Sequence, residues 1–145
     1  MAFSEYLADK VLNWIQGSAF PTQLSNVYIS VHTGVPGDSG LLNDVTSSIT
    51  GLGSNFRATV SAANLSAPVA APGGGRQVSN GAAVTITSSA ANAAAPAGVT
   101  LTHFGIWDSA GGGNFLGYGV LSAPVTIFTG DTVQFAISAL VVRVI

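Results

Sequence analysis

The stretch VTLTHFGIWDSAGGGNFLGYGVLSAPVTIFTGDTVQFAISALVVRVI, residues 99–145, decides the fold. VTLTHFGIWD and NFLGYGVLS are rich in β-branched and aromatic residues, and SAGGG between them supplies the backbone freedom of a tight connection. The pair reads as an antiparallel hairpin. PVTIF, the turn TGD and TVQFAIS repeat the pattern: Val133, Phe135 and Ile137 alternate with Thr132, Gln134 and Ala136, the period of a strand with one buried face. ALVVRVI supplies a closing strand.

Upstream, the same period of two runs through VYISVH, where Val27, Ile29 and Val31 face one way and Tyr28, Ser30 and His32 the other, as in a half-buried strand. Phe56, Ala58 and Val60 of FRATV form a second alternating set, and AAVTIT a third. TGVPGDSGLLNDVTSSITGLGS is punctuated by Gly, Pro, Asp and Asn and predicts a long irregular excursion. Two Ala/Pro/Ser/Gly stretches, 61–75 and 88–98, have the composition of flexible linkers. The N-terminus differs in period. Ser4 is placed to cap a helix over Glu5–Gln16, Glu5 and Asp9 lie towards its positive end, and Gly17 can terminate it. Leu7, Val11, Trp14 and Ile15, widened by Ala8 and Leu12, make an apolar stripe that packs on the chain's own sheet or docks on a neighbouring subunit. Together these elements predict a mainly β protein. The expected architecture is an antiparallel β-sandwich or barrel-like domain of about seven strands with one N-terminal α-helix. Residues 1–145 form a single domain in this reading, with 1–20 as helix and arm and 26–145 as the sandwich.

Only 7% of the 145 residues are charged, four cations and six anions against 48% hydrophobic residues, where soluble domains carry roughly a quarter charged. A surface so sparsely charged points to burial against other protein, as in an assembly subunit. Lys10, Arg57, Arg76 and Arg143 are scattered, so no basic field exists for direct nucleic-acid binding or membrane steering. The absence of cysteine excludes disulfides and thiolate chemistry. No apolar run reaches the length of a bilayer span, and MAFSEYLADK lacks the cationic start of a secretory signal, so synthesis in a cytoplasm is expected.

The residues that could carry chemistry are few. His32 and His103 fall on strands without a nucleophile motif around them. Asp38, Asp44, Asp108 and Asp131 could pair for glycoside hydrolysis, but each sits where a turn favours Asp. GDSGLLND does not match a calcium loop, and two histidines make a poor zinc site. PGGGR and AGGG are not followed by the Lys-Ser/Thr and helix of a phosphate loop. Asn64-Leu65-Ser66 matches a glycosylation sequon by pattern alone. No catalytic, metal or cofactor constellation emerges, and a non-enzymatic protein is expected.

The blocks FSEYLADKVLNWI, VYISVHTGVPGDSG, FRATV, GGGRQVSNGAAVTI and VTLTHFGIWDSAGGGNFLGYGVLSAPVTIFTGDTVQFAISALVV occur in an order that resembles a family of small tailed-phage virion proteins, often labelled tail-fibre-like. The last block is the most specific, with THFGI, a Gly-rich turn, Leu-Ser-Ala-Pro and a GD turn in sequence. LLNDVTSSITGLGS, residues 41–54, departs from the shorter Gly-rich approach of similar sequences. The resemblance implies a structural virion component, located in the virion and carrying no catalytic residues. The resemblance does not fix the location within the virion; a compact, weakly charged β domain with neither heptads nor a repeated β unit suits the role of a capsid decoration, or cement, protein. Such a protein would bind the major capsid protein as a homotrimer and stabilise the expanded shell through linkage. The alternative is a tail-tip or short tail-fibre subunit contacting a tail protein and the host. Partner contacts are expected from the helix side at Tyr6, Trp14 and Phe20. The loop residues Val35, Pro36, Asp38, Leu41 and Leu42 complete that expected interface.

Overall fold

A computed structural model of the chain describes residues 3–52, 55–88 and 98–144; most of the small-residue stretch 88–98 lies outside them. Helix α1 spans Glu5–Ile15, with the Ser4 side chain accepting from the Leu7 N–H at 3.2 Å. Its end follows from Gly17, whose φ of 92° lets the Gly17 and Ser18 amides bond back to Trp14 and Asn13. Strand β1 (Asn26–His32) follows, then a short helix α2 (Thr46–Thr50) inside the predicted irregular excursion. Next come β2 (Ala58–Ser61), a single 3-10 turn at Ala62–Asn64, β3 (Val69–Ala70) and β4 (Arg76–Ser79). The small-residue stretch 61–75 is thus ordered into a turn and an edge strand, because Ser66, Ala71 and Gly74 backbone amides find carbonyl partners within the fold. The C-terminal part holds β5 (Val84–Thr87), β6 (Val99–Trp107), β7 (Phe115–Ile127), β8 (Thr132–Phe135) and β9 (Val141–Val144). Nine strands stand among the described residues where the sequence pattern predicts about seven. The additional ones, β3 and β4, are short and weakly patterned.

The order β2-β1-β6-β7 forms one antiparallel sheet, and β3-β4-β9 and β5-β8 form two smaller ones in a sandwich-like arrangement. Val27, Ile29 and Val31 of β1, with Phe104 and Ile106 of β6, turn inwards and meet Val84, Ile86, Val133, Phe135 and Leu140 in one apolar core. The predicted hairpin is β6-β7. It is longer than the sequence pattern implies, since NFLGYGVLS and PVTIF fuse into one strand through Pro124. Between the pairs Leu101↔Val125 and His103↔Val120 the ladder is irregular, and this is where Pro124, lacking an N–H, is accommodated. Ile137 departs from the alternation and is 64% exposed: β8 ends at Phe135, and the chain turns at Ser138 with φ 65°.

The half-buried reading of β1 holds for its first residues only. Ser30 and His32 on the second face are fully buried. Beyond Ile29, β1 loses β2 as a neighbour, and the excursion takes its place: Thr33 N–H bonds to Asn43 O at 3.0 Å, Val45 N–H to Val31 O at 3.2 Å, and Val31 N–H to Thr46 Oγ1 at 2.8 Å. Residues 33–50 therefore complete the sheet edge and roof its outer face. Backbone groups that an open edge would leave to water are satisfied internally.

Candidate binding cleft

Under the roof the outer face of β1 and β6 carries a buried polar relay. Trp107 Nε1–H donates to Ser30 Oγ at 2.9 Å, and Ser30 Oγ lies 2.7 Å from His32 Nε2. His32 Nδ1 is 3.0 Å from the Leu42 carbonyl oxygen. The carbonyl can only accept, so Nδ1 carries the proton and Nε2 accepts from the Ser30 hydroxyl. Burial lowers the His32 pKa, with the Leu42 carbonyl and the Asp44 carboxylate acting in the opposite sense. A serine beside a histidine invites a nucleophile reading, but both side chains are sealed from solvent and a backbone carbonyl occupies the place of an orienting acid. The relay holds the roof onto the sheet.

Beside it, Arg57 enters from the residue before β2. Its guanidinium stacks 3.5 Å from the Trp107 ring centroid, and Nη1 donates to the carbonyls of Ser109 at 2.9 Å and Gly112 at 2.6 Å. The Gly-rich hairpin loop is thereby clamped to the sheet. The Asp108 carboxylate closes that loop by accepting from Asn114 N–H and Nδ2, both at 2.7 Å. Burial lowers the Arg57 pKa, opposed by the charges of Asp44 and Asp108. Its Nε is buried without a partner among the described residues.

The roof, the hairpin loop and α1 enclose an open cleft of about 680 Å³ above these residues. Trp107 and Phe115, 4.9 Å apart, form its floor. Tyr6 and Phe56 stand at its walls, and Glu5, Asp38 and Asn114 at its rim. The helix is brought there by Ser4, which is buried and bonds through Oγ to Phe115 O and through N–H to Leu116 O at 3.3 Å, while Phe3 bridges Gly117. A second groove of about 380 Å³ runs along the other side of Tyr6, between Phe20, Leu24 and Leu116.

Of the expected contact residues, the structure brings Tyr6, Asp38 and Leu41 together on the cleft. Trp14 pairs edge-to-face with Phe20 at 6.2 Å, away from it. Val35 and Leu42 are exposed, whereas Pro36 is fully buried and offers no surface; the Leu42 N–H bonds to the Pro36 carbonyl at 3.0 Å, folding the loop over it. Asp44, Asp108 and Asp131 serve turns, with Asp44 Oδ1 accepting from Thr46 N–H and Asp131 Oδ2 from Phe128 N–H, each at 2.8 Å. His103 is half-buried with its Nδ1 2.8 Å from Thr102 Oγ1. Among the cleft residues that sequence reasoning missed are Arg57, Phe56 and Trp107, together with Phe115 of the floor and Glu5 and Asn114 of the rim. The only signal was an arginine flanked by an aromatic in a chain with four cations.

The α1 stripe is split: Leu7, Ala8 and Val11 are half-buried, whereas Leu12, Trp14 and Ile15 are 55%, 58% and 69% exposed. Among the described residues no helix is long and apolar enough to cross a membrane. The chain is thus a mainly β, sandwich-like protein with the apolar end of its N-terminal helix exposed. The family model of podophage GP4 fiber I protein gp80 matches residues 2–143, and the chain belongs to that family of phage virion proteins. No curated protein matches the chain.

Proposed function

We propose that the chain is a non-enzymatic subunit of the phage tail fibre that works by binding: to copies of itself, to a tail protein and to the host surface. The observation that carries this reading is the apolar surface at the end of α1. Leu12, Trp14, Ile15 and Phe20 are each more than half exposed, although burying such side chains is worth about 1.5–3 kcal/mol apiece. In a weakly charged protein, that surface is explained by a neighbour in the assembly. A closed homo-oligomer, a trimer by preference, would cover it without leaving a sticky end. The family's description as a fiber protein supports the tail location.

Capsid decoration is the second reading. It is favoured by the lack of heptads or a repeated β unit from which a shaft could be built. In that role the subunit binds the major capsid protein and stabilises the expanded shell by linkage. Copy number in purified virions separates the two. Quantitative mass spectrometry giving a few to a few dozen chains per particle fits the fibre, and a ratio near one per capsid subunit, or one trimer per local threefold, fits decoration.

A further inference from the structure

We propose that the cleft between α1, the roof loop and the Gly-rich hairpin loop binds a neutral saccharide. The proposal deepens the fibre reading and rests on it for its biological sense, but its chemistry stands on the cleft itself. A pyranose offers an apolar face of C–H groups and a rim of hydroxyls. The cleft offers aromatic walls at Tyr6 and Phe56 for the first, and acceptors at Glu5, Asp38 and Asn114 for the second. Asp38 is exposed and Glu5 is exposed, so both carboxylates are available to hydroxyl donors.

Arg57 supplies the second, independent observation. Its side chain is 6% exposed and lines the cleft, yet only Nη1 is engaged by protein acceptors among the described residues. Of the five N–H donors in its fork, those on Nη1 are taken by the hairpin loop and Nε is sealed, which leaves the Nη2 pair to donate to a ligand. A sugar hydroxyl or ring oxygen at the floor would accept from it. An acidic sugar fits less well, because the two rim carboxylates outnumber the one guanidinium. A protein side chain fits less well too, since the walls are aromatic but the rim is polar on several sides.

The test is a ¹H–¹⁵N titration of the full chain with methyl glycosides of glucose, galactose, mannose, rhamnose and N-acetylglucosamine, and with glucuronate as the acidic comparison. At least one neutral glycoside should shift the amides of Glu5, Tyr6, Asp38–Leu41 and Gly112–Asn114, and glucuronate should bind at least fivefold more weakly. Asp38→Asn, an exposed change, should weaken binding at least fivefold with an unchanged melting temperature, and Tyr6→Ala should do so more strongly. No shift with any sugar, shifts confined to another surface, or equal binding by Asp38→Asn would overturn the proposal. Tighter binding of glucuronate would overturn the neutral class. Failure here leaves the copy-number experiment untouched, so the loss of the sugar site and the loss of the fibre reading are separable.

Discussion

Arg57 is stacked on Trp107, its guanidinium carbon 3.5 Å from the ring centroid, while the same side chain ties down the loop that joins β6 to β7. Arginine suits this position because a planar cation can lie on an indole and donate along its edge at once. Lysine, a point charge, cannot do both. Arg57→Lys should therefore destabilise the fold by about 2–3 kcal/mol in urea unfolding, the scale of charge-assisted hydrogen bonds lost from a buried site. A change below about 0.5 kcal/mol, in the range of ordinary surface substitutions, would show that the clamp is dispensable.

His32 makes stability depend on pH. Its folded pKa lies below the ordinary imidazole value because of burial, so the unfolded chain binds the proton more readily. The native state is then fully favoured above the unfolded value of about 6.5 and loses stability as pH falls from there towards the lower folded pKa. Melting temperature should fall between about pH 7.5 and 5, and a His32→Gln variant, less stable throughout, should show a flatter profile over that interval. Parallel profiles would remove His32 as the source.

Ser30 is the shared partner of Trp107 Nε1 and His32 Nε2. Ser30→Ala strands both groups in a buried site, at a cost of about 1–3 kcal/mol for each. The expected sum is about 2–6 kcal/mol, read from the urea midpoint. Gly105→Ala attacks the same place from β6. Its added Cβ would meet Ser30 Oγ, with Phe115 at 2.9 Å and His32 Nε2 at 3.0 Å, and such overpacking costs about 1–3 kcal/mol.

Ser4 both caps α1 and pins it to β7 through Phe115 O and Leu116 O. Ser4→Ala should cost about 1 kcal/mol for the cap alone, which corresponds to about a fivefold faster hydrogen exchange across α1. The core strands β1 and β6 should keep their protection. Uniform loss across the chain would mean that the helix is part of the same cooperative unit as the sheet.

Trp14→Ala combined with Ile15→Ser should leave monomer stability within about 0.5 kcal/mol, because both side chains are mostly exposed. Incorporation into virions, measured by mass spectrometry of purified particles from a complemented deletion, should drop at least tenfold. Normal incorporation would show that this end of α1 is not the assembly surface.

Part of the fold is legible in local chemistry alone. The Ser4 cap and the Gly17 terminator act within one turn of helix, so the end points of α1 follow from neighbouring residues. Strand alternation in VYISVH, AAVTIT and TVQF identifies inward residues because side chains on a pleated strand have a period of two. The cleft is only partly legible in this way. Tyr6, Asp38 and Leu41 stand out as an aromatic, a loop acid and an apolar loop residue, but in the sequence Arg57 and Trp107 are an isolated cation and a strand aromatic.

A charge-poor, mainly β chain with a capped N-terminal helix follows from the residues read in order, because composition, caps and periodicity are local properties. That residues 33–50 fold back over β1, burying Ser30 and His32 on a face that alternation assigns to the exterior, emerges in the folded chain and in no local pattern. The fold likewise sets the position of Arg57, which meets the carbonyl of Gly112, 55 positions away. Those contacts form where β2 leaves the edge of β1 unpaired, and satisfying that edge depends on long-range hydrogen bonding rather than on any pattern within a strand.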